Sequence, residues 1–291
     1  MIPPSFEYFS PASLAEAISL LDQYGEEAKI LSGGHSLIPM MKLRLATPQY
    51  LVDINGISDL EYIRESGGYL RIGGLTREVA LEDSELIRTR YPIIYDTAKM
   101  IADPQVRNLA TVGGNLAHGD PANDHPATMI ALGAEIVATG PGGERPIPID
   151  DFFVGLFETA LQPNEILTEI RIPVPPKRSG GAYLKLERKA GDFAIAGVAV
   201  QLTLSKKDVC ERIGIGLTNV GITPLRAKRS QDVLMGQKPD DRLIDQAAQL
   251  ASEDCEPTDD LRGTEEYKRA MVKELTRRAL RLAIQRAKGG Q

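Results

Sequence analysis

Leu14, Ala17, Ile18 and Leu21 recur at helical spacing, which predicts an amphipathic helix with one buried stripe. Ser10-Pro11 supplies its start signal, serine as cap and proline at the first helical position, and Gly25 stops it. Residues 28–31 then read as a short buried strand running straight into Gly33-Gly34, after which a helical pattern resumes. Strand, glycine turn and helix thus follow one another within ILSGGHSLIPMMKLRL.

Residues 50–54 and 69–72 are predicted as further strands, the second leading into Gly73-Gly74. Residues 87–101 are helical with a break at Pro92, and 135–139 form a strand that turns at Gly140-Pro141-Gly142-Gly143. This mixture lacks a strict βα repeat and favours α+β over a doubly wound sheet. The segment 173–181, PVPPKRSGG, has the composition of a linker, so the chain is expected to divide into residues 1–177 and 178–291. Beyond it, strands at 183–187, 198–204 and 213–217 precede helices at 225–236, 241–253 and 265–288. That order predicts an antiparallel sheet with helices on one face. The last helix carries Met271, Leu275, Ala279 and Leu282 on one stripe and charges opposite, the pattern of a docked surface helix.

Charge and cysteine content narrow the chemistry. A net charge of −6 argues against a nucleic-acid binder, which would need surplus Lys and Arg gathered on one face. The only cysteines, Cys210 and Cys255, are too few to ligate an iron–sulfur cluster or an all-cysteine zinc site, and are expected to be reduced and buried. The opening MIPPSFEYFSPAS has no basic segment followed by an apolar run, and no stretch approaches the roughly 18 apolar residues of a membrane span. A cytoplasmic protein is expected.

The passage IADPQVRNLATVGGNLAHGDPANDHPA, residues 101–127, holds a second glycine pair, Gly113-Gly114, followed by Asn115 in a loop of Asp, Asn and His. Two such turns leave backbone able to approach a ligand closely and to offer it N–H groups, which phosphate oxygens suit. The Walker pattern is absent, and GIGLTNVG at 214–221 has Asn219 where a Rossmann fingerprint needs its third glycine. His118, Asp120, Asp124 and His125 lie close in sequence, but Gly119 and Pro121 interrupt them and no helical pair of histidines forms. A Ser36–His35 nucleophile is disfavoured too, because no G-x-S-x-G elbow exists.

SGGHSLIPMMKLRLA combined with TVGGNLAHGDPANDHPA resembles the FAD-binding medium subunit of the molybdenum hydroxylases, most closely that of the aerobic carbon monoxide dehydrogenases. EILTEIRIPVPP, YLKLERKAGDFAIAGVAV, IGLTNVGITPLRA and EEYKRAMVKELTRRAL extend the resemblance along nearly the whole chain. It implies an α+β FAD-binding domain of two subdomains followed by a C-terminal α+β domain. It further implies that Ser32, Gly33, Gly34, His35, Ser36 and Leu37 wrap the FAD pyrophosphate, and that Thr111, Gly113, Gly114 and Asn115 close over it from the other side. Asp124 matches an acid that contacts the cofactor chain; Ile101, Ala102 and Leu167 match apolar positions lining the flavin; Lys185 matches a lysine near the ring system. Phe193 stands where relatives commonly carry Tyr or Trp beside the isoalloxazine.

The implied activity is divided among subunits. A large subunit oxidises substrate at a molybdenum cofactor, and a small subunit with two iron–sulfur clusters relays electrons. This subunit's FAD then passes them to a quinone, oxygen or another acceptor, within a dimer of heterotrimers. The competing readings are a self-contained FAD-dependent oxidoreductase and a non-enzymatic ligand-binding protein.

Overall fold

A computed structural model describes residues 2–290. The chain begins with a parallel sheet of β1 (Glu7–Phe9), β2 (Ala28–Leu31) and β3 (Tyr50–Asp53) in the order β1-β3-β2, its connections carrying α1 (Leu14–Tyr24) and α2 (Leu37–Leu43). The helix predicted to start at Ser10-Pro11 starts later. Ser13 is its cap, accepting the Glu16 N–H at 3.2 Å, while the Glu16 carboxylate accepts the Ala12 N–H at 2.8 Å. Ser13-x-x-Glu16 is a capping-box sequence, here with the glutamate on the N–H just before the cap, and a stronger start signal than serine followed by proline.

The second layer is an antiparallel sheet of β4 (Ile63–Ser66), β5 (Tyr69–Gly73), β6 (Glu135–Gly140), β7 (Gly143–Pro148) and, after a small hairpin of β8 (Phe153–Gly155) and β9 (Glu158–Thr159), β10 (Ile166–Pro173). Its order is β4-β5-β10-β6-β7. Between β5 and β6 run six short helices: α3 (Glu78–Asp83), α4 (Glu85–Arg90), α5 (Pro92–Met100), α6 (Pro104–Arg107), α7 (Val112–Ala117) and α8 (Asp124–Leu132). Pro92 does break the predicted helix, by taking the first position of α5, where its missing N–H costs nothing.

The third layer is an antiparallel sheet of β11 (Ser179–Glu187), β12 (Ala194–Leu204), β13 (Cys210–Thr218) and β14 (Leu225–Arg226), followed by α9 (Lys228–Leu234), α10 (Asp241–Asp254) and α11 (Glu265–Ala287). The helix expected over 225–236 is thus a two-residue strand and then a shorter helix. Helices cover both faces of this sheet, not one: α11 lies on β11 and β12, while α5 and α8 pack against the other side. That explains why β12 is buried along nearly its whole length.

Ser179, Gly180 and Gly181, read from sequence as the end of a linker, belong to β11. A side-chain carbon on Gly180 would sit 2.2 Å from the Ala283 carbonyl oxygen and 2.4 Å from the Ala287 nitrogen, so glycine lets α11 rest directly on the strand. The buried stripe of α11 is correspondingly rotated from the predicted one. It runs through Lys268, Val272, Thr276, Ala279, Leu280, Ala283 and Ala287; Met271 and Leu275 are half-buried beside it, as is Leu282. Lys268 is tolerated inside because it donates to the Asp260 carboxylate at 2.8 Å and the Thr258 carbonyl at 2.9 Å. Arg286 at the far end grips the Asp96 carboxylate of α5 and, at 2.7 Å, the Gly181 carbonyl.

Gly180→Val is expected to lower stability by about 1–3 kcal/mol through overpacking. Gly56→Ala, at an exposed site with nothing within 4 Å of the added carbon, is expected to leave it unchanged. Thermal denaturation of both variants checks the contrast.

Candidate functional site

The two glycine turns meet. Ser32 at the end of β2 and Thr111 before α7 share a hydroxyl hydrogen bond of 2.7 Å, and the Thr111 hydroxyl also accepts the Gly114 N–H at 3.1 Å as the cap of α7. A side-chain carbon on Gly33 would lie 2.4 Å from the Leu109 carbonyl oxygen and 2.7 Å from Ala110 Cα. Gly33 is therefore required first by the approach of one loop to the other, not only by a ligand. Gly34 has φ +80, the left-handed region that favours glycine.

Sequence reasoning treated the turns as equals, and they are not. The N–H groups of Gly33, Gly34, His35, Ser36 and Leu37 have no intramolecular acceptor among the described residues. In the second turn the donors are used: Val112 to the Thr76 carbonyl at 3.0 Å, Gly113 to that of Gly74 at 3.0 Å, Gly114 to the Thr111 hydroxyl and Asn115 to the Thr111 carbonyl at 2.9 Å. The first turn is a concavity of open N–H donors that suits an anion, and the second is its buttress.

These turns border a cleft of about 1010 Å³. Ser32, Gly33, Gly34, His35, Ser36, Leu37, Ile101, Ala102, Thr111, Gly114, Asn115, Asp124, Lys185 and Phe193 all line it. Gly113 and Leu167, expected at the cofactor, do not. A carbon on Gly113 would stand 2.4 Å from the Gly74 carbonyl oxygen, and one on Gly74 would stand 2.3 Å from that of Leu167. Both residues belong to a stack of backbones behind the second turn, and the Leu167 side chain is in the core.

Asp124, first residue of α8, is buried, with Lys185 and Tyr183 of β11 on its carboxylate. Lys185 Nζ donates to Asp124 Oδ2 at 3.1 Å and to the Met100 carbonyl at 2.9 Å, and the Tyr183 hydroxyl donates to Asp124 Oδ1. With 1 % of its side chain exposed, Lys185 is no solvated strand-edge lysine. Burial raises the Asp124 carboxyl above the ordinary carboxylate range, opposed chiefly by the Lys185 charge; burial and the neighbouring Asp124 charge push the Tyr183 hydroxyl well up. Both oxygens of Asp124 are thus engaged by the protein, and the acid holds β11 against α8 at the cleft wall.

Ala102 takes a left-handed φ of 44, a strained conformation for a residue with a side chain, and Gly191 packs against its carbonyl. Phe193 is 47 % exposed at the cleft, with the Arg262 guanidinium 5.6 Å from its ring centre and Arg262 bonded to Asp192 at 2.9 Å.

The histidines and acids close in sequence diverge in space. Asp120 closes a local turn by accepting the Ala122 N–H at 2.8 Å, and His118 packs at a tilt of 49° against Phe157 of the β8–β9 hairpin, ring centres 5.2 Å apart. His125 pairs with Glu78 at 2.7 Å, both fully buried. Among the described residues no group of three or more His, Cys, Asp or Glu is placed to hold a metal ion. Cys210 and Cys255 are free and buried, burial raising both thiols, Cys210 to about 11. Among the described residues, no helix is long and apolar enough to cross a membrane.

Sequence reasoning missed the residues that brace the cleft. Asn55 donates to the Ser32 carbonyl at 2.8 Å, Asn123 donates to the Asn115 carbonyl at 2.8 Å, and Tyr183 holds Asp124. Asn55 and Asn123 follow ordinary turn patterns, and nothing local marks their long-range acceptors.

A family model described as the FAD binding domain in molybdopterin dehydrogenase matches residues 4–175, and the CO dehydrogenase flavoprotein C-terminal domain matches 181–283. The chain belongs to this FAD-binding molybdopterin dehydrogenase family. It is 48 % identical to the carbon monoxide dehydrogenase medium chain of Hydrogenophaga pseudoflava, over 97 % of this chain and 98 % of the relative. It is 49 % identical to that of Afipia carboxidovorans, over 99 % of this chain and 100 % of the relative. A solved carbon monoxide dehydrogenase from Hydrogenophaga pseudoflava superposes with TM-score 0.96 over 98 % of this chain and 99 % of that one. As a family member the chain is an FAD-binding oxidoreductase subunit, and the open N–H groups of the first turn suit the pyrophosphate of that cofactor.

Lys185→Met would leave Asp124 buried without its cation, a loss of about 3–5 kcal/mol at pH 8. With the lysine gone the folded-state pKa of Asp124 rises further above its unfolded value, so the folded state takes up a proton on acidification and the unfolded state does not. The deficit is therefore expected to shrink between pH 8 and pH 5, and thermal denaturation of variant and parent at both pH values tests it.

Proposed function

We propose that this chain is the FAD-carrying electron-transfer subunit of a cytoplasmic molybdenum hydroxylase complex of the carbon monoxide dehydrogenase type. Its cofactor stands between the iron–sulfur clusters of a small subunit and an external acceptor such as a quinone or oxygen, while substrate is oxidised at a molybdenum cofactor on a large subunit. The trimers pair into a dimer of heterotrimers. The observation that carries the reading is the row of open N–H groups from Gly33 to Leu37 on a cleft that continues past Lys185 to the half-exposed Phe193. FAD supplies what this position needs, because it accepts and releases one or two electrons.

Each part of the cleft has a task in this reading. The first turn neutralises the pyrophosphate with backbone dipoles, and the second fixes the first by contact. Lys185, held between the Asp124 and Glu187 carboxylates at 3.1 and 3.4 Å, would set the electrostatics of the wall beside the ring system. Ile101, Ala102 and Phe193 supply apolar surface for the ring system. Phe193 keeps the flat face of the Tyr or Trp of relatives without a hydroxyl or ring N–H. The division of the chain into FAD-binding residues 1–177 and a C-terminal unit, 178–291, belongs to the same proposal. Identity of 48 % and 49 % to carbon monoxide dehydrogenase medium chains over nearly the full length supports the assignment to that type of complex.

The purified chain, with any subunits that accompany it, is expected to show a flavin absorption spectrum that bleaches with dithionite. Gly33→Val is expected to lose that spectrum, because the added carbons would push the Leu109–Ala110 backbone away. A preparation that stays colourless after addition of FAD, with partners present, would overturn the reading.

A further inference from the structure

We propose that Arg77 is a positioning residue for the dinucleotide: it fixes the spacing between the two glycine turns and through them the affinity for the pyrophosphate. The proposal rests on the reading of the cleft given above. Arg77 precedes α3 and does not line the cleft, so it acts through the turns.

Its guanidinium reaches both of them. One terminal nitrogen donates to the Leu109 carbonyl, the same oxygen that fills the place of a Gly33 side chain. The other donates to the Asn55 side-chain oxygen at 2.9 Å, while the Asn55 amide nitrogen donates to the Ser32 carbonyl at 2.8 Å. Asn55 is itself fixed to the end of β3 by two bonds to Asp53 Oδ1, at 2.9 and 2.7 Å. The Arg77 backbone also bridges to Thr111, whose hydroxyl meets that of Ser32. One planar, forked donor thus spans the contact on which the first turn rests, a task that a lysine's single ammonium performs poorly.

The charge of Arg77 points the same way. Among the described residues no carboxylate lies within ion-pair distance of it, and its guanidinium is met by neutral acceptors, the Leu109 carbonyl and the Asn55 amide oxygen. A half-buried cation in such surroundings favours an anion nearby.

The test compares Arg77→Met, Asn55→Ala and the double variant with the parent, using the full chain as it purifies, after removal of flavin. FAD binding is titrated by flavin fluorescence, ADP serves as a probe that keeps a diphosphate but no flavin, and apoprotein thermal stability is followed by circular dichroism. Arg77→Met is expected to weaken both ligands about tenfold or more, as loss of a charge-assisted bond would. Its apoprotein midpoint should stay within about 4 °C of the parent's. Asn55→Ala should weaken them in the same direction, and the double variant should fall short of the product of the two losses, because both act through one network. Arg77→Lys, which keeps the charge without the fork, should remain weaker than the parent.

Unchanged affinities in Arg77→Met and Asn55→Ala would overturn the proposal and leave the FAD reading standing. Losses that multiply independently, or that run in step with apoprotein stability, would overturn it as well, making Arg77 an ordinary fold residue. A parent that binds neither FAD nor ADP would remove both. If Arg77→Met does not fold, Asn55→Ala alone decides.

Discussion

A carbonyl oxygen standing where a side chain would begin is the constraint on which this structure turns. Leu109 presents its carbonyl to the bare Cα of Gly33, Gly74 does the same for Gly113, and Leu167 for Gly74. Contacts of this kind have no rotamers to adjust, so the relative position of the turns follows from the peptide chain itself. With the second turn spending its donors internally, the first can leave its own open without collapsing onto a neighbour.

The opposite wall of the cleft is built by different means. There β11 delivers Tyr183 and Lys185 to the N-terminal residue of α8, and the join is electrostatic: a buried carboxylate held by a hydroxyl and an ammonium. Backbone contact fixes distance on one side, while charge pairing within a low-dielectric wall fixes it on the other. Arg286 extends the second principle outward, tying α11 through β11 to Asp96 of α5.

Much of this was legible in the sequence, for identifiable reasons. Periodicity and glycine punctuation located half of the strands among the described residues, and the α10 and α11 helices, because those signals are local. Local signals failed where tertiary contact decided the outcome. Gly180 and Gly181 carry the composition of a linker, yet they are strand residues kept small by α11. Lys268 reads as a surface charge until its burial and its partners, Asp260 and Thr258, are seen. The cleft residues were named from the resemblance, and Gly113 and Leu167 were assigned to its lining because a contiguous motif cannot show which of its residues face backward. The division of labour between the glycine turns was equally hidden, since Val112 and Gly113 of the second turn find their acceptors in Thr76 and Gly74, far off along the chain, and the first turn's donors find none among the described residues.

α8 sits on β13 as closely as the turns sit on each other. Side-chain carbons on Gly214 and Gly216 would fall 2.0 and 2.1 Å from the carbonyl oxygens of Ala131 and Ala127. The helix that carries Asp124 is therefore seated by a strand made more than eighty residues later. During synthesis both glycine turns leave the ribosome well before the surface that anchors their opposite wall. A nascent chain then holds both glycine turns but lacks the strands that supply Tyr183 and Lys185 and seat α8, so the cleft has one wall until the C-terminal sheet is made.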